Sequence, residues 1–193
     1  MVGFYLNFKF NKKLRIMPEN NKTKEFLQKL APCIERGDLD ACVEEAVWAA
    51  EEMGIKVEKL MVLSTQAGMG GIHAFAYVLA LAAERSLEGK AKAGAYCNAG
   101  VAAGFLGRKE QEEQHYKKAI AANPNIAEAH SNYANLLSEL DRKTEAEEHY
   151  KQAIAANPNY AEAHYNYANL LSELDRKTEA EEHYKQAIAA NPN

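Results

Sequence analysis

The sequence is poor in the residues that staple, kink or bury a chain in lipid. Only three cysteines, five prolines and one tryptophan occur in 193 residues. Cys33, Cys42 and Cys97 are odd in number and far apart, and no C-x-x-C spacing occurs; three buried, reduced thiols of a cytoplasmic protein are expected. Scarce proline beside abundant Ala, Glu and Lys favours helix. The longest apolar run, over 72–83, is too short to cross a bilayer, so no membrane partner is expected. At the N-terminus, Lys9, Lys12 and Lys13 follow the apolar residues instead of preceding them, the reverse of a secretory signal, and a cytoplasmic location is expected. The net charge of −4 gives no basic surface for nucleic acid.

What the sequence does have is internal repetition. Residues 127–159 and 161–193 are identical except that Ser131 is replaced by Tyr165, a period of 34. An earlier copy shows at 115–125, where HYKKAIAANPN matches the later HYKQAIAANPN. Each unit reads as two helices, 127–140 and 144–156 in the first complete copy. Pro158 closes one unit, and Asn159 is expected to cap the next helix, with Glu162 three residues on. Thr144 with Glu147, and Thr178 with Glu181, have the spacing of a capping box at the second helix. His130, Tyr133, Ala134 and Leu137 fall on one stripe of the first helix, and Ala146, Tyr150, Ala153 and Ile154 on one stripe of the second. A single hairpin cannot bury both stripes, so neighbours must stack.

The pattern of large His130, Tyr133, Leu137 and Tyr150, small Ala134, Ala146 and Ala153, and closing Pro158 resembles the tetratricopeptide repeat. His164, Tyr167, Leu171, Tyr184, Ala168, Ala180, Ala187 and Pro192 repeat it in the next copy. The resemblance implies an all-α fold, a right-handed superhelical array of antiparallel helix hairpins (alpha-alpha superhelix), with three clear repeats plus degenerate N-terminal hairpins. The expected divisions are an extension over 1–20, a helical region over 21–92, a divergent repeat over 93–126, and repeats over 127–160 and 161–193. In the divergent copy Tyr96, Gly100, Tyr116, Ala119 and Pro124 fit; Glu112 stands where a tight alanine belongs and calls for looser packing or a special neighbour.

Upstream, a degraded frame starting at Val57 places Leu60, Leu63, Ser64, Ala67, Ala76, Ala80 and Ala83 at packing positions, with Gly70-Gly71 at the turn. A frame starting at Thr23 does the same with Phe26, Leu30, Cys33, Cys42, Ala46 and Ala49, with Gly37-Asp38 at the turn. Pro32 is expected to kink or split its helix. Residues 34–61 are also similar in tone to the helical cap of corrinoid-binding methyltransferase proteins, although the D-x-H-x-x-G motif those proteins need is absent. Near the N-terminus Phe4, Leu6, Phe8 and Phe10 alternate with polar residues or Tyr5, a strand-like period.

No constellation points to catalysis, and the chain is expected not to be an enzyme. Five of six histidines fall in repeat register, and no spacing resembles a metal site; neither metal nor cofactor is expected. Gly68, Gly70 and Gly71 do not make a phosphate loop, because no strand precedes them. The resemblance implies instead a protein-binding scaffold, in which the first helix of each hairpin lines a concave groove. Its groove positions are Glu128, Ser131, Asn132, Asn135, Ser138 and Glu139 in one copy; Glu162, Tyr165, Asn166, Asn169, Ser172 and Glu173 in the next; and Gly94, Cys97, Asn98, Val101, Gly104 and Phe105 in the divergent one. Asn98, Asn132 and Asn166 form a ladder whose amides both donate and accept, suited to an extended peptide backbone. Glu128, Glu139, Glu162 and Glu173 make the groove acidic, so a peptide bearing Lys or Arg is the expected partner. Tyr165 is the best single anchor. The carboxylate clamp of the family needs Lys or Arg where Glu162, Asn166 and Cys97 stand here, and only Asn132 matches. The alternative is self-assembly: a solenoid end normally carries a polar cap, none follows Tyr184, Ala187 and Ile188, and a second copy is then the expected partner.

Overall fold

The computed structural model describes residues 21–69 and 72–191. The strand-like segment over 4–10 and the Gly70-Gly71 turn lie outside the described residues. Among the described residues all regular secondary structure is helical: α1 (Asn21–Arg36), α2 (Leu39–Glu52), α3 (Val57–Met69), α4 (His73–Ser86), α5 (Lys92–Phe105), α6 (Lys109–Ala122), α7 (Ala127–Glu139), α8 (Lys143–Ala156), α9 (Ala161–Glu173) and α10 (Lys177–Ala190), with one short 3-10 turn at Gly89–Ala91. The chain divides after Glu112 into two compact units.

In the first unit α4 is the central helix, packed by α2, α3 and α5. That placement explains its sequence. Phe75, Ala76, Tyr77, Val78, Leu79, Ala80, Ala82 and Ala83 are all buried, and a helix that is apolar around most of its circumference belongs inside. The packing positions of the two upstream frames, from Phe26 to Ala83, are all in the core. Glu112 does have a special neighbour: it is buried, and a Cβ built on Gly104 would sit 2.6 Å from its carboxylate oxygen. The absence of a side chain at Gly104 makes room for a carboxylate that Lys109 pairs at 3.2 Å.

Two expectations fail here. Cys33 and Cys42 are not free thiols but a disulfide joining α1 to α2, with Cα atoms 5.6 Å apart. Cys97 stands outside the disulfide and is buried. The turn at Gly37 (φ +82°) brings the two sulfurs together, because repeat positions 11 and 20 face each other across the hairpin. Pro32 does not split α1, which runs through it from Asn21 to Arg36. Packing of Phe26, Leu27, Leu30 and Cys33 holds the helix on both sides of the missing N–H.

In the second unit the hairpins α7–α8 and α9–α10 stack, α9 touching both α7 and α8. Tyr133, Ala134, Leu137, Ala146, Tyr150 and Ala153 are buried as the stripes require, and Tyr167, Ala168, Leu171 and Ala180 repeat them. Tyr150 lies against Tyr167, ring centroids 5.7 Å apart. The hairpin turns use a left-handed residue at a 34-residue interval: Gly107 (φ +72°), Asp141 and Asp175 (both φ +58°). Aspartate is among the few side chains that tolerate this region.

The expected caps are not formed. Helices α8 and α10 begin one residue early, at Lys143 and Lys177, and their N-cap residues are Arg142 and Arg176 without a side-chain cap bond. Glu147 is drawn away instead. Its carboxylate accepts from Tyr167 Oη at 2.9 Å and Arg176 Nη1 at 2.7 Å, and pairs with Lys151 at 2.7 Å. Glu113 does the same with Tyr133, Arg142 and Lys117. Asn157, not Asn159, shapes the turn before α9, accepting from the Asn159 N–H at 3.2 Å.

Candidate functional site

The second unit holds a cleft of about 280 Å³ between α7 and α9, floored by Leu170 and Tyr150 and walled by Asn135, Ser138, Glu139, Asn166, Asn169 and Glu173. The periodicity of the two helices places these side chains. Positions 9, 12 and 13 of α7 face positions 6, 9 and 13 of α9, because stacked hairpins run their first helices side by side. Tyr150 donates its hydroxyl to Asn135 Oδ1 at 2.5 Å, and Tyr184 donates to Asn169 Oδ1 at 2.7 Å. Each bond fixes its amide with the nitrogen end turned away from the tyrosine.

The field in this cleft is negative. Ionisation of the Tyr150 hydroxyl is pushed well up, first by burial and then by the charges of Glu173, Glu139 and Glu162. Lys143 pairs Glu173 at 3.1 Å and offsets part of that charge.

Asn98 belongs to the first unit. It lines an apolar cavity of about 400 Å³ with Thr65, Met69, His73, Val101 and Phe105. Its Nδ2 donates to Thr65 Oγ1 at 3.1 Å, and His73 stacks on Phe105 with centroids 4.1 Å apart. Tyr165 and Glu162 belong to a third hollow of about 490 Å³, shared with Tyr184, Ala187, Ile188 and Asn191 on the outer face of the last hairpin. Tyr165 packs on Tyr184 at 5.9 Å and remains half exposed.

Within the second unit the expected groove residues divide between the cleft and the outer hollow. Asn135, Asn166 and Asn169 come together in the cleft; Asn132 is half-buried on the same helix as Asn135 and Glu128 is exposed. Ser131 and Cys97, expected in the groove, are buried. Ser131 is fully buried, whereas the equivalent Tyr165 is half exposed and packs on Tyr184. The functional group that the sequence reading missed is the Tyr150 hydroxyl. The repeat pattern places its ring in the core, but a core tyrosine needs a partner for its hydroxyl, and that requirement was the available signal. Among the described residues no group of three or more His, Cys, Asp or Glu side chains is arranged to hold a metal ion, and no helix is long and apolar enough to cross a membrane.

Comparison with known proteins agrees with this architecture. The chain is similar in structure to TTC0263, a thermophilic TPR protein of Thermus thermophilus, with TM-score 0.65 and 22% identity over 88% of this chain and 92% of that one. It is similar to MamA, with TM-score 0.63 and 19% identity over 91% of this chain and 97% of that one. The second TPR of Spaghetti (RPAP3), solved with the HSP90 peptide SRMEEVD, gives TM-score 0.51 and 22% identity, covering 56% of this chain and 98% of that one. No curated protein matches in sequence. Tetratricopeptide repeat models match residues 93–126, 115–148 and 144–193, which together span more than half of the chain. With its all-α hairpins and its 34-residue period, the chain belongs to the tetratricopeptide repeat family.

Proposed function

We propose that this chain is a protein-interaction scaffold whose α7–α9 cleft takes an extended peptide bearing Lys or Arg. The observation that carries the reading is the convergence of Glu139, Glu173, Asn166 and Asn169 around the buried Tyr150 hydroxyl. Carboxylates favour a cationic side chain, and amides oriented by tyrosine satisfy a peptide backbone without reading its sequence. Solved relatives include a TPR domain bound to an acidic HSP90 peptide and a TPR protein with an unusual peptide-binding site. The first kind of ligand does not suit this chain, because Glu162 and Asn166 stand where a carboxylate clamp needs basic residues.

The test is fluorescence anisotropy with labelled extended peptides that differ only in Lys/Arg against Glu content. Basic peptides bind, and added salt weakens them. Glu139→Gln/Glu173→Gln lowers their affinity by roughly fivefold or more, and Asn166→Ala weakens basic peptides whatever their spacing. Equal binding of acidic and basic peptides sinks the proposal.

A second reading rests on the hollow around Tyr165, Tyr184 and Ile188, where Ile188 is 67% exposed. A second copy of the chain covering that apolar face gives an assembly instead of a peptide receptor. Sedimentation velocity over a dilution series separates the two: a mass that does not change with concentration eliminates self-assembly.

A further inference from the structure

Two pairs of histidines stand outside the cleft, one in each complete hairpin. His130 Nδ1 lies 3.0 Å from His149 Nδ1, and His164 Nδ1 lies 2.9 Å from His183 Nδ1. The other nitrogen of the first partner contacts a carbonyl in the turn before its helix: His130 Nε2 with Pro124 O at 2.9 Å, His164 Nε2 with Pro158 O at 3.1 Å. His130 and His164 are buried.

Proton bookkeeping fixes the arrangement. A carbonyl only accepts, so Nε2 of His130 carries hydrogen. In the neutral ring its Nδ1 is then bare and accepts from the Nδ1–H of His149. The same holds for His164 and His183. Each pair thus ties three pieces together: the Asn-Pro-Asn turn, the first helix and the second helix. One added proton is tolerated at Nε2 of His149 or His183, leaving the bond intact. A second proton puts two N–H groups face to face, and the bond is lost.

We propose that the two histidine pairs are acid-operated latches, each holding its hairpin closed with at most one added proton and releasing it when both rings become charged. The surroundings bear on the direction. Burial is the largest effect on His130, His149 and His183 and disfavours their charged forms. Around His149, His130 and Arg142 disfavour the charged form while Glu148 and Glu145 favour it; around His183, His164 disfavours it while Glu182 and Glu179 favour it. Tyr133 and Tyr167 cover the rings of His149 and His183 at 4.7 and 4.6 Å. The glutamates ease the first proton but lie beside the second helix only. At His130, His149 and His183 the folded chain therefore binds fewer protons than the unfolded one. Stability is full above the ordinary imidazole value of about 6.5 and falls as pH drops below it.

The experiment has two parts on the full chain. Long-range 1H–15N correlation spectra at neutral pH are expected to show His130 and His164 with hydrogen on Nε2, and His149 and His183 in the rarer Nδ1–H form. All four rings in the Nε2–H form overturns the proposal. Urea midpoints between about pH 7.5 and about pH 5 are expected to fall for the natural sequence. In His149→Asn/His183→Asn the amide still donates to Nδ1 but no second ring titrates, and the fall is expected to shrink by at least half. An unchanged pH dependence in that variant also overturns it. The spectra decide the matter if the variant does not fold.

Discussion

At the scale of single residues, the glutamates at the hairpin junctions carry more of the architecture than their composition suggests. Glu147 joins α8 to Tyr167 on α9 and to Arg176 before α10, contacts 20 and 29 residues away in the chain. Burial opposes its ionisation, but Arg176, Lys151 and Tyr167 outweigh burial and hold the carboxyl down to about 2. Glu113 is held at about 2 as well, by Lys117 first and then Arg142, with Tyr133 adding to them. A carboxyl lowered in the folded state contributes stability that is present above its unfolded value of about 4.5. That stability is lost as pH falls from there towards about 2. A second acid step, below the histidine range, is therefore expected in unfolding followed by circular dichroism. Tyr167→Phe removes one hydrogen bond to a charged group and leaves the two ion pairs. It is expected to cost roughly 1–2 kcal/mol by chemical denaturation and to flatten the step; no change in either quantity shows that the tyrosine hydroxyl is idle.

At the scale of elements, what was legible in the sequence was what repeats locally. Tyr133, Ala134, Leu137, Ala146 and Tyr150 announce two helices and their buried faces because burial at 3.6-residue spacing needs no knowledge of the partner. The turns after the first helices hold a left-handed residue, Gly107, Asp141 or Asp175, which helical periodicity does not announce. The capping boxes failed because both helices begin one residue early, at Lys143 and Lys177, with Arg142 and Arg176 at the N-cap. The disulfide was missed for a different reason. Cys33 and Cys42 are nine residues apart, and only the hairpin register makes them neighbours. The cleft was half legible. Repeat position named Asn166 and Asn169, which line the cleft, whereas the hydrogen bond of Tyr150 needed the position of Asn135 on the facing helix.

At the scale of the whole molecule, two nearly identical repeats allow local sequence to be separated from tertiary position. Ile154 and Ile188 sit in the same stretch, EAEEHYKQAIAANPN. Ile154 is half-buried where α8 meets α9, while Ile188 on α10 is 67% exposed. Ala153 is fully covered and Ala187 is 9% exposed, the same gradient at the next position. If stability came from helix propensity, truncating either isoleucine would have the same effect, because alanine is the better helix former at both. If it comes from the stacked interface, the two must differ. Ile154→Ala is expected to cost roughly 1–2 kcal/mol in chemical denaturation, whereas Ile188→Ala is expected to cost less than about 0.5 kcal/mol. Equal losses in dilute monomer would mean that a hairpin is stable without its neighbour, contrary to nearest-neighbour coupling in stacked repeats. A concentration-dependent cost at Ile188 alone would instead mean that a second copy covers that face, and would move self-assembly ahead of the peptide cleft.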